Sequence, residues 1–421
     1  MGRRIFQMFM TAAMAHAKWD YETSLNIINN KKKVWILIAM TVPIILISVA
    51  FAAGLPDIIG GEKAYAPSYY SLKIFIASIF VGLCAGLITG CIGAGGGFII
   101  TPALMTVGVK GILAVGTDLF HIFAKAIMGT AVHKKLGNIS VGLAVWFLIG
   151  SGLGVTGGGV INRTLYEINP VLSDTFISII YVILLGFLGF YSLIDFLKLK
   201  NQGGDGDAHG GHSSSSGSGI GLPARMQAIK LPPMIVFDQD LAPGGKSISG
   251  IFVALCGAIV GFMAAIMGVG GGFLTFPMFV YILGVSSFTT VGTDILQIIF
   301  TAGYAAIAQY AIYGFIFYTL AMGMLIGSLI GIQVGALTTK VVKGIYIRGF
   351  YATAILAGFV NRLFTLPKQL VEMDVLKLSK GTTQILDLIG SITFFITIGI
   401  FAIWVISKFF GNIGLLRKED K

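Results

Sequence analysis

Charge is what this sequence has least of. Asp, Glu, Lys and Arg make up only 11% of its 421 residues, against about 25% in ordinary soluble domains. Hydrophobic residues reach 56% and mean hydropathy is +0.89, which together exclude a soluble globular protein. Cysteine is rarer still. Cys84, Cys91 and Cys256 all fall in apolar stretches without CxxC spacing, which excludes a disulfide framework and a thiolate metal centre and leaves small buried hydrophobes. The Gly-Lys-Ser/Thr ending of a phosphate loop is missing, and no soluble strand–helix unit surrounds the glycine-rich runs as a dinucleotide fold requires. A net charge of +11 does not point to nucleic acid, because the basic residues gather in loops and tails. No motif calls for a cofactor.

What the chain does have is apolar stretches long enough to span the bilayer. They cover 34–54, 72–91, 111–132, 139–160, 172–197, 248–267, 288–313, 315–337, 345–364 and 385–409. The expected fold is therefore an all-α integral membrane protein with about ten transmembrane helices. Two shorter apolar pieces, 97–108 and 272–283, cannot cross alone and read as half-helices. Basic residues give the orientation. Arg3, Arg4, Lys18 and Lys31–Lys33 precede the first span, and His133-Lys134-Lys135, Lys198, Lys200, Arg225, Lys340, Lys343, Arg348, Arg417, Lys418 and Lys421 should lie on the same side. Both termini are thus expected in the cytoplasm.

Self-similarity divides the chain. Gly93, Gly95, Gly96, Gly97, Phe98 and Pro102 match Gly268, Gly270, Gly271, Gly272, Phe273 and Pro277 at one constant spacing, and "VGTD" at 115–118 recurs at 291–294. The expected organisation is a cytoplasmic N-terminal segment (1–33), an extra transmembrane helix (34–54), repeat 1 (72–197), a cytoplasmic flexible linker (198–247), repeat 2 (248–364) and a C-terminal transmembrane helix (385–409). The linker's His209, His212, Asp205 and Asp207 read as solvated rather than as a metal site. If each short piece turns back within the membrane, every basic cluster falls on one side and the second repeat runs opposite to the first. That is an inverted-topology repeat.

Glycine runs at corresponding places in two inverted halves point to a midplane binding site in a transporter, because irregular backbone survives in a bilayer only where protein buries it or a cavity meets it. Half-helices starting near Gly97 and Gly272 would aim free N–H groups and a positive dipole end at an anion. The candidate substrate-binding residues are Gly93, Gly95, Gly96, Gly97, Phe98, Gly268, Gly270, Gly271, Gly272 and Phe273. Gly150, Gly154, Gly327 and Gly331 read instead as close helix packing. On the next helix Asp118, His121 and Lys125 follow an i, i+3, i+7 spacing and share one face; Asp294, Gln297 and Thr301 are their counterparts. Charges at mid-bilayer face the interior and are usually functional. Lys125, Thr117 and Thr293 are therefore assigned to the anion, and Asp118, Asp294 and His121 to proton coupling.

The paired stretches "GAGGGFIITPAL" and "GVGGGFLTFPMF", each followed by a glycine turn and a "VGTD" helix, resemble the sulfite exporter family TauE/SafE. The resemblance implies a multi-pass protein of the bacterial cytoplasmic membrane that moves sulfite, thiosulfate or an organosulfonate. It carries over to the glycine runs, Pro102, Pro277, Thr117 and Thr293. Asp118 and Asp294 depart from it, since many members have Ser there. An anion channel using the same half-helix site is the alternative. A membrane enzyme with Asp118, His121 and Lys125 as acid–base residues stands behind it, for lack of a nucleophile or cofactor motif. The expected partners are the lipid bilayer, a small sulfur anion and protons. The sequence leaves the oligomeric state open.

Overall fold

A chain crossing hydrocarbon must satisfy its backbone hydrogen bonds internally, and long apolar runs do so as helices. The structure, a computed structural model, describes Glu22 and residues 30–35, 71–92, 97–132, 140–201, 222–238, 245–339 and 341–412. In chain order the helices are α1 (Leu72–Ile92), α2 (Gly97–Thr106), α3 (Gly111–Val132), α4 (Val141–Ile168), α5 (Pro170–Asn201) and the short α6 (Leu222–Ala228). There follow α7 (Gly250–Met267), α8 (Gly272–Pro277), α9 (Ser287–Tyr304), α10 (Tyr318–Thr338), α11 (Gly344–Glu372) and α12 (Lys380–Gly411). Helix α8 continues as a wider π-type turn over Met278–Leu283, and α9 continues likewise over Ala305–Tyr310.

The protein is an all-α membrane protein. Eight described helices are long and apolar enough to cross a bilayer. Helix α3 has 22 residues but carries a polar stripe. The expected first span, 34–54, and the segment before it lie almost wholly outside the described residues.

Glycine sets how the helices meet. Helix α1 lies along α10, with Gly82, Gly86 and Gly90 against the backbone of Met324, Ser328 and Ile332. The numbers rise together, so the pair runs parallel. Helix α4 lies parallel to α7 in the same way, with Gly150, Gly154 and Gly158 against the backbone of Ala254, Ala258 and Phe262. The other two pairs run antiparallel. Gly186 and Gly189 of α5 face Phe359 and Leu356 of α11, and Gly116 of α3 faces Tyr310 just beyond α9 while Gly303 faces Phe123. Helix α12 packs on α11.

Part of the segment expected as linker has structure. Strands β1 (Met234–Phe237) and β2 (Lys246–Ser249) pair antiparallel, Met234 opposite Ser249. Their alternate residues Ile235, Phe237 and Ile248 bury with Leu143, Phe147, Val253, Phe279 and Leu283. Asp238 then accepts hydrogen bonds from the Ser286 backbone N–H (2.8 Å), the Ser286 hydroxyl (2.7 Å) and the Thr289 hydroxyl (2.6 Å), fixing the start of α9. The low-complexity stretch with His209 and His212 lies outside the described residues.

Candidate functional site

Helix α7 stops at Met267 because the next residues turn left-handed. Gly268, Gly270 and Gly271 have φ of 78°, 72° and 88°, a region costly to any residue with a Cβ. Helix α8 restarts at Gly272; the Leu274 and Thr275 N–H groups donate to the Gly271 carbonyl at 2.8 and 2.9 Å, which leaves those of Gly272 and Phe273 without intrahelical acceptors. In the first half α2 starts at Gly97. Gly93, Gly95 and Gly96 lie outside the described residues.

The two interruptions touch. A Cβ on Gly97 would fall 2.8 Å from Val269 Cα and 3.3 Å from the Gly268 carbonyl oxygen. The Tyr181 hydroxyl, from α5, donates to the Met267 carbonyl at 2.5 Å and lies 3.3 Å from the Gly97 carbonyl. One side chain therefore clamps the end of α7 to the beginning of α2.

Each helix start faces a carboxylate. Asp118 Oδ2 lies 3.4 Å from where a Gly97 Cβ would be, and Asp294 Oδ2 lies 3.5 Å from the same point on Gly272. Both carboxylates are fully buried. Their surroundings differ. Asp118 Oδ2 accepts from Thr101 Oγ1 at 3.1 Å, but Asp118 Oδ1 stands 3.6 Å from His121 Nδ1, beyond a hydrogen bond, and neither atom has another partner. His121 Nε2 meets Ser328 Oγ at 2.8 Å. In the second half Gln297 Nε2 donates to Asp294 Oδ1 (2.7 Å) and Thr275 Oγ1 (2.9 Å). Thr301 donates to Gln297 Oε1 (3.0 Å) and meets Ser151 Oγ at 2.8 Å. The first-half cluster keeps two unmatched polar atoms where the second-half cluster closes its chain.

Half-buried Lys125 lies on the Asp118–His121 face of α3. Thr117 and Thr293 sit on the neighbouring face and hold the halves together: Thr117 Oγ1 accepts from the Phe317 backbone N–H (2.9 Å) and Thr293 Oγ1 from the Ser140 backbone N–H (3.2 Å). Phe98 turns into the core, edge-on to Tyr351 with centroids 6.1 Å apart. The Phe273 side chain is not among the described atoms.

Two buried arginines, Arg163 and Arg362, lie outside the glycine runs and the helices that follow them, and Arg362 has no charged counterpart in the first half. Arg163 donates to the Gln309 backbone and side-chain oxygens, both at 2.7 Å, and lies over the Tyr313 ring. Arg362, on α11, is 1% exposed. The signal for both was an Asn-Arg pair inside an apolar run, "INRT" and "VNRL".

The sulfite exporter TauE/SafE family profile matches residues 78–361. Among curated relatives, the probable membrane transporter protein YjnA of Bacillus subtilis is 23% identical over 266 residues, covering 62% of this chain and 89% of that protein. YunE of the same organism, also a probable membrane transporter protein, is 24% identical over 270 residues, 62% of this chain and 87% of its own. A probable membrane transporter protein of Xylella fastidiosa is 23% identical over 269 residues, 63% and 85% of the two chains. No solved structure matches. The matched region runs from the first glycine-bearing helix through both interrupted helices and their acidic partners to Asn361, and the chain belongs to the sulfite exporter TauE/SafE family.

Proposed function

We propose that this membrane transporter is a secondary carrier that moves a sulfur-containing anion (sulfite-like, thiosulfate or an organosulfonate) across the cytoplasmic membrane by alternating access coupled to protons. The observation that carries this reading is the pair of helix starts, Gly97 and Gly272, each with a buried carboxylate beside it. A helix N-terminus attracts negative charge, and here an aspartate already supplies it. An incoming oxyanion competes with that carboxylate, so protonating the aspartate favours anion binding at the same place. Anion and proton then travel in the same direction. Asp118 is the better coupling group, because its Oδ1 and His121 Nδ1 face each other at 3.6 Å with no hydrogen bond to lock them, whereas Gln297 holds Asp294. Lys125 adds attraction on the same face.

The pairing of helices supports an inverted repeat. Corresponding helices (α3 with α9, α5 with α11) meet antiparallel, while non-corresponding ones (α1 with α10, α4 with α7) meet parallel. A two-fold axis lying in the membrane plane produces this pattern, and one along the membrane normal does not.

The test is flux of labelled thiosulfate into liposomes, since thiosulfate stays fully ionised as the medium goes from about pH 8 to about pH 6. Wild type should take it up saturably and with rising apparent affinity as pH falls. Asp118→Asn should retain downhill flux and lose that pH response. A response unchanged in Asp118→Asn would remove the coupling role from this residue, and unsaturable flux indifferent to the proton gradient would favour the channel.

A further inference from the structure

The pair Asn361-Arg362 lies on α11 beside the far end of α2. Arg362 Nε (2.8 Å) and Nη2 (2.6 Å) both donate to Asn361 Oδ1, and Nη2 also donates to Thr106 Oγ1 at 2.6 Å. Thr106 Oγ1 lies 2.7 Å from the Pro102 carbonyl and 3.0 Å from Asn361 Oδ1. Two guanidinium donors on one atom fix that atom as the amide oxygen, which turns Asn361 Nδ2 the other way. Asn361 Nδ2 and Arg362 Nη1 are both buried and have no acceptor. Arg362 makes no ion pair among the described residues. The nearby acids are engaged elsewhere: Asp174 accepts the Gly111 N–H at 2.7 Å, and Asp387 pairs with Lys368 at 3.0 Å and Thr365 at 2.9 Å.

The molecule contains its own control. In the other Asn-Arg pair, Asn162 Nδ2 donates to the Tyr310 hydroxyl (3.1 Å), Asn162 Oδ1 accepts from Ser173 (2.7 Å), and Arg163 reaches both Gln309 oxygens. That pair ties helices together and is satisfied. The Asn361-Arg362 pair presents only donors, around a permanently charged group. A buried guanidinium with no carboxylate in ion-pair contact is costly, and so is each unmet donor. An oxyanion at Nη1 answers the charge and that unmet donor together, while Asn361 Oδ1 holds the opposite edge of the guanidinium.

We infer that Asn361 and Arg362 form a second anion-binding site. It stands at the Thr106 end of α2, roughly 15 Å from the Gly97 end at 1.5 Å per residue, so an anion held here has the length of the half-helix to travel to the central site. This inference deepens the reading above and rests on it for the class of anion.

The alternative role for Arg362 is to balance the negative C-terminal end of α2, and two substitutions on the full-length protein separate the two. Asn361→Asp keeps the shape, gives the guanidinium an internal carboxylate and should leave a well-folded protein. Arg362→Gln removes the charge. In detergent, thiosulfate should raise the unfolding midpoint of Lys125→Ala, whose central site is weakened, and adding Asn361→Asp should abolish that rise. In liposomes both single variants should raise the KM for thiosulfate at least about tenfold, the loss expected when a charge-assisted contact goes. If the thiosulfate response and KM of Asn361→Asp equal those of its parent, Arg362 is a structural charge and the second site is refuted. If wild type carries no thiosulfate, sulfite or sulfonate but the thiosulfate stabilisation vanishes with Asn361→Asp, the site stands and the transport reading falls.

Discussion

At the scale of single residues, the interest lies in which polar atoms have partners. Tyr181 is the clearest structural case, since its hydroxyl joins the end of α7 to the start of α2. Tyr181→Phe leaves the buried Met267 carbonyl without its hydroxyl donor and should cost about 1–3 kcal/mol, measured by reversible unfolding in detergent. Because the clamp holds the two interruptions together, the same variant should also weaken thiosulfate binding. The acidic and basic residues of α3 were legible in the sequence, because Asp, His and Lys on one face of an apolar helix are too costly in hydrocarbon to stand there without a use. Asn361-Arg362 was not, although the rule that singled out Lys125 applies equally to it. Matching one half against the other hides any residue that only one half carries. The use made of Thr117 and Thr293 was also hidden, for their hydroxyls are spent on backbone groups of the opposite half, and only the assembled fold brings those groups close.

At the scale of the helix, glycine does two separate jobs, and substitution distinguishes them. On α4, Gly154 lies against the Ala258 backbone, whereas Gly152, two residues earlier, has nothing within 4 Å of where its Cβ would be. Gly154→Leu should prevent recovery of monodisperse protein on size-exclusion chromatography. The obstacle is main chain, so the cost exceeds the about 1–3 kcal/mol of ordinary overpacking. Gly152→Leu should purify like wild type. The other job belongs to Gly268, Gly270 and Gly271, where positive φ is the constraint common to all three and, at Gly268 and Gly270, a Cβ would also fall 2.7 Å from Thr101 Oγ1 and 2.6 Å from Ile122 Cγ2. Alanine there should lower yield even though it is small. The sequence announced these interruptions through repetition of the run. It gave no hint of the hairpin at 234–249, whose strands are four residues each and whose order comes from burial against α4 and α7 rather than from local preference.

At the scale of the whole molecule, the pairing of α1 with α10 and of α4 with α7 means that neither half possesses its own best-packed interface. That the chain is built of membrane-crossing helices was readable from its apolar runs. Which run would lie against which was not, because small-residue faces on α1, α4, α7 and α10 resemble one another until close approach selects partners. Cys91 reports on the outcome, being 3% exposed with its thiol donating to the Gly335 carbonyl of α10 at 3.3 Å. In a full-length variant carrying Cys84→Ser and Cys256→Ser, Cys91 should resist a membrane-permeant maleimide. In the same chain cut after residue 201 it should react readily, and equal protection in both would mean that α1 finds cover without α10. The consequence reaches into biosynthesis. A ribosome delivers α1 to the bilayer long before α10 exists, so the nascent helix waits among lipids with its glycine face uncovered until the far half of the chain emerges. Assembly of this transporter is therefore a late, long-range event, and its most vulnerable moment in the cell comes while it is still being translated.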